Sequence, residues 1–498
     1  MNLFVESMLN KAKETLTENG GRALNTSGNA CVDFYAVAGA LRHEGQITDF
    51  ARAIDLFEAA YQENPLIATK ILFYTRDIRE GLGERDIFRM ILEYCAHRHP
   101  AAIIANIPLI GLYGRYDDMY SLIDTPLEDQ MWKVMKEIFE EDLEHMSKNE
   151  PVTLLAKWIK TPDASSRNTR KLGILTAQKL GYSVIREFKR DLRALRKYID
   201  ITEIHMSANE WGAINYEQVP SRAMTLYRNA FQEHDGDRYT DYINAALAGK
   251  AKINSATLYP YDIVGKLLYD YPTASEEKVL EAQWQQLPNY VEDDNILIMA
   301  DTSGSMEGRP MATSIGLAIY FAERNTGVFH NLFMTFSSKP EFVKLKGSSL
   351  RRKVQNALGA HWGMSTNLES AFNQVLNMAI TNKIPAEDMP KAIVVISDME
   401  INQWGSPIGN VNQWSFYDEM KRRFASAGYE IPQVVFWNVD SRQDTFHADA
   451  DRKGVQLVSG QSINTFKTIV KSFNMTAEEA MLEVINSERY ANIKLSSY

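Results

Sequence analysis

From the N-terminus to about residue 285, apolar residues recur at intervals of three and four, the period of a helix with one buried face. Leu66, Ile67, Ile71, Leu72 and Phe73 open one such stretch, and Ile87, Phe88, Ile91 and Leu92 form part of another. Short glycine-containing turns, Arg79–Gly83 and Gly111–Arg115, punctuate the pattern. No strict repeat of fixed length is visible, so the pattern predicts an array of degenerate helix pairs with little β signal. After Pro288 the period changes. Asn295–Ala300, Ala392–Ile396 and Gln433–Trp437 are short continuous apolar runs, with helical stretches at Thr313–Arg324 and Leu368–Ile380 between the first two. Such runs alternating with helices predict a parallel, doubly wound sheet buried on both faces. Gln286–Asp294, with Pro288 and three consecutive acids, reads as the linker. The expected fold class is α followed by α/β, with a helical array over residues 1–288 and an α/β domain over 289–498.

Ligands of open α/β sheets bind at the carboxyl ends of the strands, and the informative residues fall there. The first run leads directly into Asp301-Thr-Ser303-Gly-Ser305, which sets a carboxylate and two hydroxyls on one tight turn. The second delivers Asp398 at the same end, and Gly363-Met-Ser365-Thr366 supplies a further hydroxyl just before a helix. All are hard oxygen donors with no His or Cys among them, a set that suits Mg²⁺ first, then Mn²⁺ or Ca²⁺, rather than zinc or copper. A lone Asp-x-Ser-x-Ser turn also occurs as a plain helix or turn cap. Here its position at a strand end, with a second aspartate at the next matching strand, favours a metal.

The set Asp301, Ser303, Ser305, Thr366 and Asp398 resembles the metal-ion-dependent adhesion site (MIDAS) of von Willebrand factor A domains, and residues 290–475 resemble that fold throughout. The resemblance implies direct coordination by Ser303, Ser305 and Thr366, contacts from Asp301 and Asp398 mainly through water, and an open position filled by a partner's carboxylate. The loop before the threonine is one residue longer than the family's usual Gly-Gly-Thr. Either Ser365 or Thr366 is therefore eligible, and Thr366 is favoured because Asn367-Leu then begins the helix. Glu400 is the nearest candidate general base, but a carboxylate at that spacing is more often a supporting loop group. No Walker loop, Gly-x-Ser-x-Gly elbow or His-Glu-x-x-His helix is present. The site is read as non-enzymatic.

Composition changes the picture in two places. With 45% hydrophobic and 24% charged residues the chain can bury a sizeable core, and its two cysteines, Cys31 and Cys95, exclude a disulfide framework or a Cys-rich zinc site. The opening residues carry Glu6 and build no apolar run, and no stretch reaches the length of a bilayer span, so a cytoplasmic location and no membrane partner are expected. The net charge of −10 offers no global attraction for nucleic acid. The average conceals a strongly basic window, however: residues 151–200 hold 12 Lys and Arg against 4 Asp and Glu, a net of +8 that leaves −18 for the rest.

Within this window Ile185, Phe188, Leu192, Leu195 and Ile199 recur as the buried stripe of an amphipathic helix. Arg186, Arg190, Arg193 and Lys197 form a second stripe on the same helix, with cations one turn apart as a phosphate backbone requires. Upstream, Arg167, Arg170 and Lys171 lie with serines near an expected helix start, and Lys157 precedes them. The bland alternative is a solvated face paired with Glu187, Asp191 and other acids.

A helical region followed by a von Willebrand A domain resembles the Ro/TROVE architecture. Phe73–Asp86, Gly114–Asp118, Leu155–Trp158 and Val219–Ala223 are closer still to a bacterial and viral family of uncharacterised function with the same layout. The Ro resemblance implies a ring of helical repeats that binds small structured RNAs on its basic outer surface and single-stranded ends in the hole. Whether this array closes is left open. The leading expectation is a Ro-like ribonucleoprotein component, monomeric or weakly oligomeric, that binds small non-coding or misfolded RNA and holds a divalent metal and a protein partner on the A domain. The alternatives are a protein adaptor without RNA and a metal-dependent nuclease or other hydrolase. Three further features are read as structural or open: His97 and His99 at a helix end, the alternating charges of Arg76–Asp86 as an ion-pair network in preference to part of an RNA groove, and Trp404 and Trp414 as partner-facing or core.

Overall fold

The computed structural model describes residues 13–41, 47–255, 258–291, 295–337, 339–360, 367–401 and 413–496. The chain forms two compact units that do not follow the expected division at 288/289. One comprises Met1–Ile71, Glu80–Leu82 and Ser255–Ser487, and the other Leu72–Arg79, Gly83–Asn254 and Glu488–Tyr498. Among the described residues no helix is long and apolar enough to cross a membrane.

In the first unit a six-stranded sheet has the order β5-β4-β3-β6-β7-β8. Its strands are β3 (Ile296–Ala300), β4 (Leu332–Thr335), β5 (Phe342–Lys344), β6 (Ala392–Ser397), β7 (Gln433–Asn438) and β8 (Val455–Ser459). The expected parallel sheet is mixed: β5 runs antiparallel to β4 at one edge, and every other pairing is parallel. β3 and β6 are buried along their whole length, which is why their apolar runs are unbroken. β4, β5 and β8 were not anticipated. β5 is the most exposed of them and too short for a periodic signal, whereas β8 carries Gln456 in a buried position.

The segment read as a linker is structural where it is described. Leu287 and Val291 are buried in the same core as Ile296, Ile298, Ile315 and Trp437, and the Tyr320 hydroxyl donates to the Pro288 carbonyl at 2.5 Å. The helices Pro260–Tyr269 and Ala274–Gln285, helical in pattern and so grouped by sequence with the array, give Ile263, Val264, Leu280 and Trp284 to this core. A helical period reports one apolar face but not the surface that face covers.

The N-terminal segment belongs to this unit too. β1 (Glu14–Leu16) and β2 (Arg22–Leu24) pair as an antiparallel hairpin, and the helix Ala30–Val37 packs on β8. Gly39 makes that approach feasible, because a Cβ there would fall 2.6 Å from the Gly460 Cα.

The second unit is helical. Its longer helices are Asp86–Arg98, Glu128–Ser147, Arg167–Lys179, Ile185–Tyr198 and Ser221–Leu247, the last interrupted at Asp235. The charged turn after Phe73 feeds a buried ionic network, as its structural reading expected. Asp118, fully buried, accepts from Arg76 Nε at 2.7 Å and Arg89 Nε at 2.6 Å, and Asp77 accepts from Arg489 Nε at 2.7 Å and the Tyr490 hydroxyl at 3.1 Å. His97 lies exposed in the last turn of Asp86–Arg98, with His99 as its C-cap. Because the Arg76 guanidinium is only 2% exposed, Asp118→Ala leaves a buried cation with one partner fewer. A loss of about 3–5 kcal/mol is expected for this unit, read as a lower-temperature transition in calorimetry, whereas Arg85→Ala on the exposed Arg85–Asp86 pair changes it by less than about 1 kcal/mol.

Candidate metal centre and cationic face

β3 and β6 are paired in register, Ala300 opposite Ile396, and the connections leave to opposite sides of this pair, so the switch point of the sheet lies between them. Asp301 and Asp398 follow these strands directly. The Asp301 N–H still donates to the Ile396 carbonyl at 3.0 Å, so the ladder sets its backbone. Asp301 Oδ1 accepts from the Ser303 N–H at 2.8 Å, Oδ2 accepts from the Ser397 hydroxyl at 2.6 Å, and the Ser303 and Ser305 hydroxyls lie 3.1 Å apart. Asp398 Oδ1 accepts from the Glu400 N–H at 3.1 Å and lies 3.4 Å from the Ser397 hydroxyl. The structure thus brings Asp301, Ser303, Ser305 and Asp398 to one end of the sheet. Thr366, with Ser365, lies outside the described residues, as does Trp404, and the side chain of Trp414 is likewise not described. The helix start that favours Thr366 is present: the Asn367 side chain caps Leu368–Asn382 by accepting from the Ser370 N–H at 2.9 Å.

The electrostatics of this cluster follow from burial. Asp301 is wholly buried, and desolvation first, then the charge of Asp398, push its carboxyl up to about 6 despite the Ser397 and Ser303 hydrogen bonds. Glu400 is pushed up to about 7 by burial, with the charges of Asp398 and Glu18 adding to it. Among the described residues, Asp398 Oδ2 and Glu400 Oε1 are buried without a hydrogen-bond partner. Orphaned, buried carboxylate oxygens beside two hydroxyls fit a hard divalent cation. Among the described residues no group of three or more His, Cys, Asp or Glu side chains is arranged to hold a metal, so any site here depends on the hydroxyls.

Several residues of the site escaped the sequence reading. Ser397 sits between the two carboxylates. Met399 adopts the left-handed conformation (φ 66°), and its carbonyl accepts from His447 Nε2–H at 2.9 Å. Burial lowers the His447 imidazole to about 4, which keeps it neutral at that post. Arg442 donates to the Ser305 carbonyl and lies 3.5 Å from Asp440. Ser397 was legible as the neighbour of Asp398. Met399 follows Asp398 on the same loop, and Arg442 and His447 lie in the connection between β7 and β8 with no local signal.

In the helical unit, Phe188, Leu192 and Leu195 form the buried stripe of Ile185–Tyr198, and Arg186, Arg190, Arg193 and Lys197 lie exposed opposite. Arg167, Arg170 and Lys171 are exposed at the start of Arg167–Lys179. The expected cations do not form one uniform surface. Lys157 is half-buried with its ammonium 5.6 Å from the Trp158 ring, Arg170 donates to the Ala164 carbonyl at 3.0 Å, and Arg190 pairs with Asp191 at 2.9 Å. Among the described residues no carboxylate pairs with Arg167, Lys171, Arg186, Arg193 or Lys197. The rest of the window's charge is largely committed. Lys160, Lys179 and Lys189 pair with acids, and Arg196 donates to the Ala156 and Ile159 carbonyls.

Comparison with known proteins gives two family matches. Residues 17–171 and 152–297 match the family described as domain of unknown function DUF2828, and residues 295–496 match the domain of unknown function DUF7788. The chain is 28% identical to the uncharacterized protein L728 of Acanthamoeba polyphaga mimivirus, over 95% of this chain and 87% of that protein. Among solved structures, the Ro (RSR) protein of Deinococcus radiodurans is similar at 13% identity and a TM-score of 0.44, over 94% of this chain and 100% of that one.

The raised Asp301 carboxyl sets a pH dependence. Its folded value lies above the ordinary 3.8, so without a cation its contribution to stability declines as pH rises from about 4 to about 6. In a chelator, wild type is expected to lose roughly 1–3 kcal/mol of stability across that interval relative to Asp301→Asn, measured by denaturant melts at a series of pH values. Parallel pH profiles would refute it.

Proposed function

The chain belongs to the DUF2828 family, and we propose that it is a non-enzymatic, Ro-like RNA-binding protein whose helical unit holds the RNA backbone and whose α/β unit holds a divalent cation. The observation that carries the RNA reading is the set of exposed cations that have no ion-pair partner among the described residues, Arg167, Lys171, Arg186, Arg193 and Lys197, on two successive helices of one unit. Cations left unpaired on a face that buries its apolar side elsewhere gain most from displacing counterions on a polyanion. The Ro-like assignment, with small structured or misfolded RNA as ligand, extends the resemblance of layout and local motifs seen in the sequence. In this reading Arg190 contributes after exchanging Asp191 for phosphate, Arg170 chiefly shapes the turn before its helix, and Lys157 lies beside Trp158.

For the metal, Ser303 and Ser305 with Thr366 would supply hydroxyl ligands, and Asp301 and Asp398 would supply charge from behind them. Mg²⁺ is the expected ion, with Mn²⁺ or Ca²⁺ as alternatives. A cation there would offer a carboxylate of a protein partner an open position. Glu400 is buried and its Oε2 accepts the Glu18 N–H, and we read it as a supporting loop group, in keeping with the non-enzymatic reading.

Binding is tested with a structured RNA titrated against wild type and Arg186→Glu/Arg193→Glu/Lys197→Glu. The dissociation constant is expected to rise at least tenfold, and the slope of log affinity against log salt to fall by about two to three. Equal affinity in the two proteins, or no affinity for RNA at low salt, would overturn the RNA reading. Loss of pull-down partners in Asp301→Ala alone would instead favour an adaptor, and Mg²⁺-dependent RNA cleavage lost in Asp398→Ala would favour a nuclease. For the metal, Mg²⁺ is expected to raise the melting temperature of wild type but not of Asp398→Ala.

A further inference from the structure

The hairpin β1–β2 is too short to be stable alone, with three residues in each strand. Its position is set by what it docks on. At its base, Leu24 and Phe446 exchange both backbone hydrogen bonds at 2.8 Å, an isolated antiparallel bridge to the loop after β7. At its tip, three successive residues bond to the loop after β6. The Thr17 hydroxyl donates to the Ile401 carbonyl at 2.8 Å, the Glu18 N–H donates to Glu400 Oε2 at 2.5 Å, and Asn19 Nδ2 donates to the Glu400 carbonyl at 2.5 Å. The Thr17 hydroxyl also accepts the Gly21 N–H at 2.8 Å, which closes the turn that presents these donors.

The loop so held is Asp398–Ile401, which carries one carboxylate of the metal centre and a left-handed Met399. A non-glycine residue in that conformation persists only where its surroundings hold it. His447 holds the Met399 carbonyl from one side, and the hairpin tip holds the next two residues. Arg442 links the two parts further: it donates to the Ser305 carbonyl on the Asp301–Ser305 turn, and it lies 3.8 Å from the Glu18 carboxylate.

We infer that Thr17, Glu18 and Asn19 are positioning residues of the metal centre, and that docking of the N-terminal hairpin and binding of the cation favour one another. This rests on the metal reading above. A loop fixed before the cation arrives has less ordering left to undergo, so affinity rises. By reciprocity the bound cation stabilises the docked hairpin to the same extent. The N-terminal segment then acts as a strap that reports on, and tunes, occupancy of a site some 380 residues away.

The test uses the full chain and two readouts. Titration with Mn²⁺ compares wild type, Asn19→Asp, which is isosteric but removes the donor, Thr17→Val, and Thr17→Ser, which keeps the hydroxyl. Affinity is expected to fall by about fivefold or more in Asn19→Asp and Thr17→Val and to stay within twofold of wild type in Thr17→Ser. Hydrogen exchange then follows residues 14–24 of wild type, which does not depend on any variant folding. Mg²⁺ is expected to slow their exchange severalfold, and to leave it unchanged in Asp398→Ala. If wild type binds Mn²⁺ but both variants match it within twofold, or Mg²⁺ leaves hairpin exchange unchanged, the coupling is refuted while the metal site stands. If wild type binds neither ion, both readings fall together.

Discussion

Two carboxylates leave adjacent parallel strands one residue apart in register, buried from water, with one serine hydroxyl between them. Asp301 and Asp398 cannot be moved apart without breaking the register of β3 and β6, and Ser397 can satisfy only part of what they lack. Burial, then the charge of Asp398, raise the Asp301 carboxyl, as they do where a carboxylate is short of neighbouring positive charge. Much of what surrounds it compensates. The Ser303 N–H points at Asp301, the Glu400 N–H at Asp398, and Arg442 reaches the neighbouring turn. In the metal reading proposed above, a bound cation would supply the remaining positive charge.

The helical unit handles charge in the opposite way. Asp77 and Asp118 are buried, and each is matched by an arginine within hydrogen-bond distance in the network that holds the turn after Phe73. Where its cations are exposed, on Arg167–Lys179 and Ile185–Tyr198, several form no ion pair among the described residues. The two patterns separate structural charge from charge available to a ligand. A count over the window 151–200 could not make that distinction, because Lys160, Lys189 and Arg196 contribute to the +8 and are already committed.

What was legible in the sequence was local. The apolar runs of β3, β6 and β7, the amphipathic stripe of Ile185–Tyr198, and the Asp-x-Ser-x-Ser turn at a strand end each carry their signal within a few residues. What was not legible depends on partners far along the chain. The helices Pro260–Tyr269 and Ala274–Gln285 look like the helices before them, yet cover the sheet. The hairpin at residues 14–24 has no signal tying it to Glu400, because a hydrogen bond across some 380 residues leaves no trace in periodicity.

The sequence by itself determined the helical period before residue 285, three strands of the sheet, the change of grammar near residue 288, the donor set at the strand ends and the cationic stripe, because periodicity and donor chemistry are properties of neighbouring residues. Only the tertiary structure decided which charges are spent in ion pairs, that the segment around Pro288 is core, and that the N-terminal hairpin grips the loop of Asp398. Those outcomes depend on which surfaces exclude water from one another, and that is settled by the whole packed chain.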